Sequence, residues 1–434
     1  MYSCYNAYEV IIMAEKYLKR CIDSVLEMYL ETFGAVLIEG PKWCGKTTTA
    51  SMQSESIIKL QDPRKFNDYI KLAEINPKAL LDGKTPRLID EWQLAPILWN
   101  AIRAEVDERN KEGLFILTGS TTLKNDDTMH SGTGRIARLL MRPMSLYESL
   151  DSSGQISLSD LFKQNTEIDG ITTSTSIEDI SKYICRGGWP STIGKSEKSS
   201  QLIAEDYVNS ICESEASSVD GFEKNPNRVR AVLRSYSRNI STLATNRTIL
   251  NDIAANDMQI SEPTLYSYLN ALNRLFVIED IPAWSPSIRS KTVIRSSNKK
   301  GIVDPSLAAA SLGITPGNIF DDMKTFGFLF ESLCIRDLRI YSQEIGGKVY
   351  YYRDRYGLEC DAVIRLNDGK YCLIEIKLGN TDIDKGAENL TKLSNLLMEN
   401  GKKPPQFLAV VSGGNIAYTR ADGVKVIPIS CLKN

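Results

Sequence analysis

Two kinds of pattern alternate along the first third of the chain. Between residues 9 and 30 the apolar positions Ile12, Ala14, Leu18, Ile22 and Val25 recur near helical spacing, which predicts a helix. "GAVLIEG" is a short apolar run bounded by glycines, the mark of a strand buried within a parallel sheet. "SIIKLQD", "PRLIDEW" and "GLFILTGS" read as further strands, with "TTTASMQS" and "PILWNAIRAEVDERN" as helices among them. Helix and strand in alternation predict an α/β sheet with helices on its faces.

The pattern changes after Asp151. Ser, Thr, Asp and Gly crowd the stretch up to Ser176, which predicts a linker or mobile insertion. Helical periodicity then dominates from about 177 to 280. In "ISEPTLYSYLNALNRLF", Ser261 can cap a helix, Glu262 and Pro263 suit its first turn, and Leu265, Leu269, Leu272 and Phe276 form one apolar face. With "TILNDIAANDMQ" ahead of it, this predicts a helix-turn-helix pair. An acid-free segment carrying Arg289, Lys291, Arg295, Lys299 and Lys300 follows. A basic wing on nucleic-acid phosphates would look like this, so DNA or another nucleic acid is an expected partner. Further on, the helical "FGFLFESLCIRDL" leads into the strands "KVYYYRD", "LECDAVIRL" and "KYCLIEIKL".

Composition narrows the classes. A chain of 434 residues with 42% hydrophobic and 24% charged residues is an ordinary globular protein of several domains. A net charge of −2 excludes a polycation, so a nucleic-acid surface has to be a local patch. Nine cysteines without a C-x-x-C pair argue against a zinc ribbon and for reduced, buried thiols. The single histidine, His130, excludes a multi-histidine metal site and reads as a loop residue. No apolar run reaches the roughly 20 residues that span a bilayer, and the start lacks a secretion signal. A cytoplasmic protein without a membrane partner is expected.

The clearest chemistry lies in Gly40-Pro41-Lys42-Trp43-Cys44-Gly45-Lys46-Thr47, which fits G-x-x-x-x-G-K-[ST] at every fixed position. A strand precedes it and the helix "TTTASMQS", with Thr48 in its first turn, follows, as a phosphate-binding loop needs. Backbone N–H groups would cradle the phosphates of ATP, Lys46 would reach the β- and γ-phosphates, and Thr47 would ligate Mg²⁺. Asp90, at the end of the apolar "PRLID", suits the acid that orients the ion, and Glu91 suits the general base for water. Thr118 or Ser120, ending the next strand, would contact the γ-phosphate or the water. Arg135, Arg138 and Arg142 fall at helix-like spacing or just ahead of a helix, and one of them, Arg135 foremost, could act as a finger, supplied by a neighbouring subunit of a homo-oligomer.

The phosphate loop, "LIDEWQLAP", "FILTGS", "GRIARLLMRPMSLYE" and "CRGGWP", in that order, resemble a group of bacterial and archaeal AAA-type ATPases. Members carry a C-terminal domain of unknown function with a restriction-endonuclease-like fold. The resemblance implies an ATPase domain over 1–165, a helical connector over 166–225, a winged-helix-like domain over 226–315 and a nuclease-like α/β domain over 316–434.

The C-terminal acids can be placed by counting. Asn367-Asp368-Gly369 suits a three-residue hairpin loop with Gly369 in the left-handed conformation. Leu366 then faces Lys370, Asp361 faces Glu375, and Lys377 shares the face of Glu375. Two facing carboxylates repel unless a cation lies between them, and Mg²⁺ or Mn²⁺ would serve. Asp361 with Glu375-x-Lys377 is similar to the PD-(D/E)xK nuclease motif, and Glu331 matches the additional helical acid of that group, although Cys360 stands where the motif has proline. The resemblance implies a metal site built from Glu331, Asp361, Glu375 and Lys377. A plain cross-strand ion-pair cluster is the structural alternative.

Overall fold

The apolar run Ala35–Glu39 forms the strand β1, and the strands read from the sequence assemble around it in the computed structural model, which describes residues 17–120, 132–164, 166–219, 222–256, 258–286 and 297–434. The chain divides into two units. One is drawn from Met1–Pro143 with the short pieces Val219–Gly221 and Arg274–Phe276. The other comprises Met144–Ser218, Phe222–Asn273 and Val277–Asn434.

In the first unit, β2 (Ser56–Lys59), β3 (Arg87–Asp90), β4 (Phe115–Gly119) and β5 (Ile136–Leu140) join β1 in a parallel sheet of order β2-β3-β4-β1-β5. Its helices include α1 (Ile22–Thr32), α2 (Lys46–Met52) and α3 (Leu98–Arg109). The expected helix over 9–30 is therefore seen in its second half only, since residues 1–16 lie outside the described residues. Leu98, Trp99, Ile102 and Val106 recur at helical spacing, and with them α3 buries one face against Leu37, Leu117 and Ile136 of the sheet. Each aliphatic side chain so covered contributes about 1.5–3 kcal/mol.

The "GRIARLL" stretch is a strand and not a helix. Ile136 and Leu139 are buried while Arg138 is exposed, and backbone pairing with β1 overrides the helix-like spacing of the arginines.

The second unit begins with a helical layer. It includes α4 (Ile177–Arg186), α5 (Glu197–Ser210), α6 (Pro226–Arg238), α7 (Asn246–Ala254), α8 (Glu262–Arg274) and α9 (Pro305–Leu312). The apolar face read from the sequence is buried: Leu265, Leu269 and Leu272 of α8 are nearly inaccessible. Ile278 and Ile281 bridge antiparallel to Ile302 and Lys299, making the base of a ribbon. Arg289, Lys291 and Arg295 lie outside the described residues, as does His130. The long α10 (Met323–Glu344) then leads into a six-stranded mixed sheet. In chain order its strands are β6 (Gly347–Arg353), β7 (Glu359–Leu366), β8 (Tyr371–Lys377), β9 (Leu408–Ser412), β10 (Tyr418–Thr419) and β11 (Lys425–Pro428), in the spatial order β10-β11-β9-β8-β7-β6. Helix α11 (Ile383–Glu399) makes the crossover from β8 to the parallel β9, and its Leu390, Leu393 and Leu397 pack on Val363, Leu373 and Val410.

The Ser- and Thr-rich stretch after Asp151 is packed, which corrects its reading as a linker. Ile156, Leu158, Leu161, Phe162 and Ile168 are buried, Ile156–Ser157 pairs with Leu432–Lys433, and Thr172 bridges to Ile416. Several of its polar side chains act as caps: Ser157 and Ser176 each accept an N–H from the first turn of a helix.

A buried polar hub gathers motifs that are far apart in sequence. The Arg336 guanidinium donates to Asp304 Oδ2 (2.9 Å) and to Asp337 Oδ1 (2.8 Å). The Asp304 carboxylate also accepts the Gly188 N–H (2.9 Å), and Asp337 accepts the Leu146 N–H (2.9 Å). "MSLYE", "CRGGWP" and "DPS" meet there. A Cβ on Gly188 would stand 2.0 Å from the Met144 carbonyl oxygen, so this position has room for glycine alone. The eight described cysteines are buried and form no disulfide among themselves.

Candidate functional site

Strand β1 delivers the phosphate loop from the carboxyl edge of the parallel sheet. Gly40 has φ 153°, and a Cβ there would meet the Met141 carbonyl oxygen at 2.1 Å. Gly45 caps α2 in the left-handed region at φ 102°, a conformation that suits glycine. Lys46 is buried, and its ammonium donates back to the Gly40 and Pro41 carbonyls at 2.9 and 2.7 Å, which ties it inside the curve of the loop. Cys44 is buried with its thiol toward Met141 O, whereas Trp43 stays half exposed.

The acid at the end of β3 comes to the loop. Asp90 is fully buried, and its Oδ1 accepts the Thr47 hydroxyl at 2.6 Å and the Thr118 hydroxyl at 2.7 Å. Gln61 Nε2 lies 3.4 Å from Oδ2. Strand order explains the convergence, because β4 runs between β1 and β3 and so places Thr118 between the loop and the acid. Glu91 has φ 58°, uncommon outside glycine and typical of residues whose side chain is aimed by a turn. Its N–H donates to Thr118 Oγ1 (3.2 Å), and its carboxylate accepts from Gln93 Nε2 and, at 3.4 Å, from the Ser120 hydroxyl. Thr118 thus serves Asp90, and Ser120 faces Glu91.

Arg135 is not part of this constellation. The register sets its carbonyl against the Ala35 N–H, at the amino edge of the sheet and the far end of β1 from Gly40, and its guanidinium is held by Asp107 at 2.7 Å. Within its own chain Arg135 therefore does not reach the loop. Arg138 pairs with Glu39 at 3.0 Å and lies over the Trp99 ring.

A further arginine supports the loop. The buried Arg20, just before α1, donates to Cys44 O (2.9 Å) and Arg142 O (2.8 Å), bridging the phosphate loop and the end of β5. The Tyr17 hydroxyl meets Asp23 Oδ1 at 2.7 Å and Thr49 Oγ1 at 2.9 Å. Contacts to carbonyl oxygens leave no spacing in a sequence, so only a cation ahead of the strand could have drawn attention to Arg20.

In the second unit the hairpin forms in the register counted from the sequence. Ala362 faces Ile374, Leu366 N–H donates to Lys370 O, and Gly369 has φ 87°. Asp361, Glu375 and Lys377 come together: Lys377 Nζ lies 2.5 Å from Glu375 Oε2 and 3.3 Å from Asp361 Oδ2. Asp361 Oδ2 also accepts the Ile376 N–H (3.0 Å), and Glu375 Oε1 accepts the Asn389 amide (2.8 Å). The fourth expected member, Glu331 on α10, does not join the pair directly. Lys299 stands between, with Nζ 2.5 Å from Glu331 Oε1 and 3.4 Å from Asp361 Oδ1. Among the described residues no three His, Cys, Asp or Glu side chains stand where they could hold a metal ion. Of the metal site expected from Glu331, Asp361, Glu375 and Lys377, the last three come together, and Lys299 stands between Glu331 and Asp361.

Electrostatics agree with that account. Burial, reinforced by Asp361, pushes the Glu375 carboxyl up to about 8. Burial likewise raises Glu331 to about 7, against the pull of Lys299. Burial would raise Asp361 too, but Lys299 and Lys377 outweigh it and hold the carboxyl at about 2. Three carboxyls face two ammoniums here, and burial favours the protonated form at Glu375 and Glu331 while the two lysines keep Asp361 ionised.

A cleft of about 550 Å³ opens on this face. Its walls carry Glu359, Asp361, Glu375, Asp382 and Glu388 against Lys377, Lys385 and Lys392, so acids outnumber bases.

Lys299 and Lys300, expected on a phosphate-facing wing, are turned inward. Lys299 is 7% exposed, and Lys300 pairs with Asp280 at 3.3 Å and lies over the Tyr236 ring. No described helix is long and apolar enough to cross a membrane.

Comparison with known proteins agrees with this geometry in part. Residues 177–318 and 326–432 match two domains of unknown function, DUF8612 and DUF4143. No curated protein matches the chain. Among solved structures, a Walker-type ATPase of Pyrococcus abyssi is similar at 17% identity and a TM-score of 0.43, over 68% of this chain and 96% of that one. The Thermotoga maritima RuvB Holliday junction branch migration motor is similar at 16% identity and a TM-score of 0.26, over 60% and 89%. The replication initiator DnaA bound to AMPPCP and single-stranded DNA is similar at 13% identity and a TM-score of 0.28, over 58% and 86%. Residues 32–150, which hold the phosphate loop, Asp90 and Glu91, match the model of an AAA domain.

Proposed function

We propose that this chain is a cytoplasmic ATPase that hydrolyses ATP with Mg²⁺ and uses its nucleotide state to control an interaction made by the second unit. The observation that carries the reading is the meeting of Thr47 and Asp90 at 2.6 Å beside the Lys46 loop. The backbone from Gly40 to Thr48 would cradle the phosphates, and Lys46 would exchange its two loop carbonyls for phosphate oxygens. A hydroxyl beside a carboxylate is an oxygen donor set suited to Mg²⁺, so Thr47 and Asp90 would hold the ion, which supplies charge neutralisation on the phosphates. Glu91 would take the proton of the attacking water, with Ser120 orienting that carboxylate. In a homo-oligomer, Arg135 would serve a neighbouring copy's nucleotide and not its own.

For the second unit, a nucleotide-gated switch that binds a protein partner is favoured over a nuclease-like module that cuts nucleic acid. The hairpin register supports the nuclease-like reading. Against it, both oxygens of Asp361 and of Glu375 already accept donors, and the cleft beside them is rich in acid. Such a cleft repels a polyanion. The described lysines of the expected wing are also committed to internal pairs.

The test is Glu91→Gln. Hydrolysis should fall by about 10²–10⁴-fold, the usual weight of a general base, while ATP binding stays within a few fold of wild type. Unchanged turnover would remove Glu91 from the role.

A further inference from the structure

Lys299 is an unusual neighbour for a cluster read as a metal site. It comes from the base of the ribbon that precedes α9, 32 residues before Glu331 and 62 before Asp361. Its Nζ lies within ion-pair distance of both acids, and its side chain is nearly inaccessible. Lys377 does the same between Asp361 and Glu375. Asn389 from α11 and the Ile376 N–H take further lone pairs. A Cβ on Gly386 of α11 would stand 3.4 Å from Glu375 Cβ and from Lys377 Cε, so the helix closes over the pair.

A divalent cation needs several oxygen ligands with free lone pairs at about 2.0–2.6 Å. It would also have to share a buried pocket with two ammoniums whose charge opposes it. The residues present do not fit a bound metal.

We propose that Lys299 is a built-in cation that takes the place of a divalent metal between Glu331 and Asp361, and that it keeps the C-terminal cleft metal-free. The ribbon then serves to carry this ammonium into the acid cluster, and the cluster is a structural lock for β7, β8 and α10. The proposal rests on the reading of the second unit as a module that does not cut nucleic acid. It is independent of the phosphate loop.

The test uses the full chain without nucleotide, so failure of the ATPase reading leaves its outcome untouched. Mn²⁺ is titrated and the free ion is followed by its electron paramagnetic resonance signal. Wild type and Asp361→Asn should give the same weak binding. Lys299→Met should gain a site that binds Mn²⁺ about ten-fold or more tightly than wild type, the scale of effect that residues around a metal exert. That gain should vanish in Lys299→Met with Asp361→Asn, and Lys299→Arg should gain nothing. A wild-type site that disappears in Asp361→Asn would overturn the proposal, as would a folded Lys299→Met with no new site. If Lys299→Met does not fold, the comparison of wild type with Asp361→Asn decides alone.

Discussion

At the scale of single residues, the proposed nucleotide site is a small set of polar atoms held without slack. Asp90 is buried, and Thr47 and Thr118 both donate to its Oδ1. The main-chain bonds of Arg20 add a prediction. A buried guanidinium that spans Cys44 O and Arg142 O holds the loop in shape, and charged hydrogen bonds of this kind contribute about 1.5–3 kcal/mol each. Arg20→Ala should therefore weaken ATP binding by about ten-fold or more, read by titration with a fluorescent ATP analogue, while an unchanged affinity would leave Arg20 without a role at the loop. Gly188 gives a second residue-scale prediction. A methyl group there meets a backbone oxygen at 2.0 Å, and the hub around Asp304 cannot move aside without breaking its own bonds. Gly188→Ala should cost about 3 kcal/mol of stability, measured by denaturant unfolding.

At the scale of elements, the β7–β8 hairpin and the helices packed on it set the titration of the acid cluster. The folded Glu375 carboxyl titrates at about 8 against 4.5 for a free side chain, so between those values the folded state holds a proton that the unfolded state releases. Its contribution is fully present below the unfolded value and is lost as pH rises through about 8. Thermal unfolding of wild type should therefore show a fall in stability from pH 5 to pH 8 that is smaller in Glu375→Gln, where the raised Glu331 carboxyl alone remains. A parallel fall in both proteins would assign the effect elsewhere. Legibility in the sequence divides at this same scale. The hairpin register could be counted because a three-residue loop ending in Gly369 leaves one alignment. The phosphate loop could be read because its chemistry lies within eight consecutive residues. Lys299 could not, because nothing local links it to an acid 32 or 62 positions away. Residues 135, 138 and 142 suit a helix by spacing, while the strand Ile136–Leu140 is selected by pairing with β1. Capping serines and linker serines look alike in composition, which hides the packing of the Ser-rich stretch.

At the scale of the whole molecule, the chain combines a proposed nucleotide site in one unit with an acid-rich cleft in the other. A net charge of −2 and a cleft whose acids exceed its lysines both disfavour a polyanionic partner. The central claim is narrower and lies in the first unit: Lys46, Thr47 and Asp90 form one site for MgATP. If so, saturating MgATP also stabilises that unit, by about 2.7 kcal/mol at one hundred times the dissociation constant. The most direct measurement is equilibrium binding of labelled ATP to the purified full chain, with Mg²⁺ and with EDTA, for wild type, Lys46→Ala and Asp90→Asn. Saturable uptake by wild type, weakened by EDTA and by Asp90→Asn and lost in Lys46→Ala, is the predicted result. Wild-type protein that takes up no ATP, or Lys46→Ala that binds it as tightly as wild type, would contradict the account.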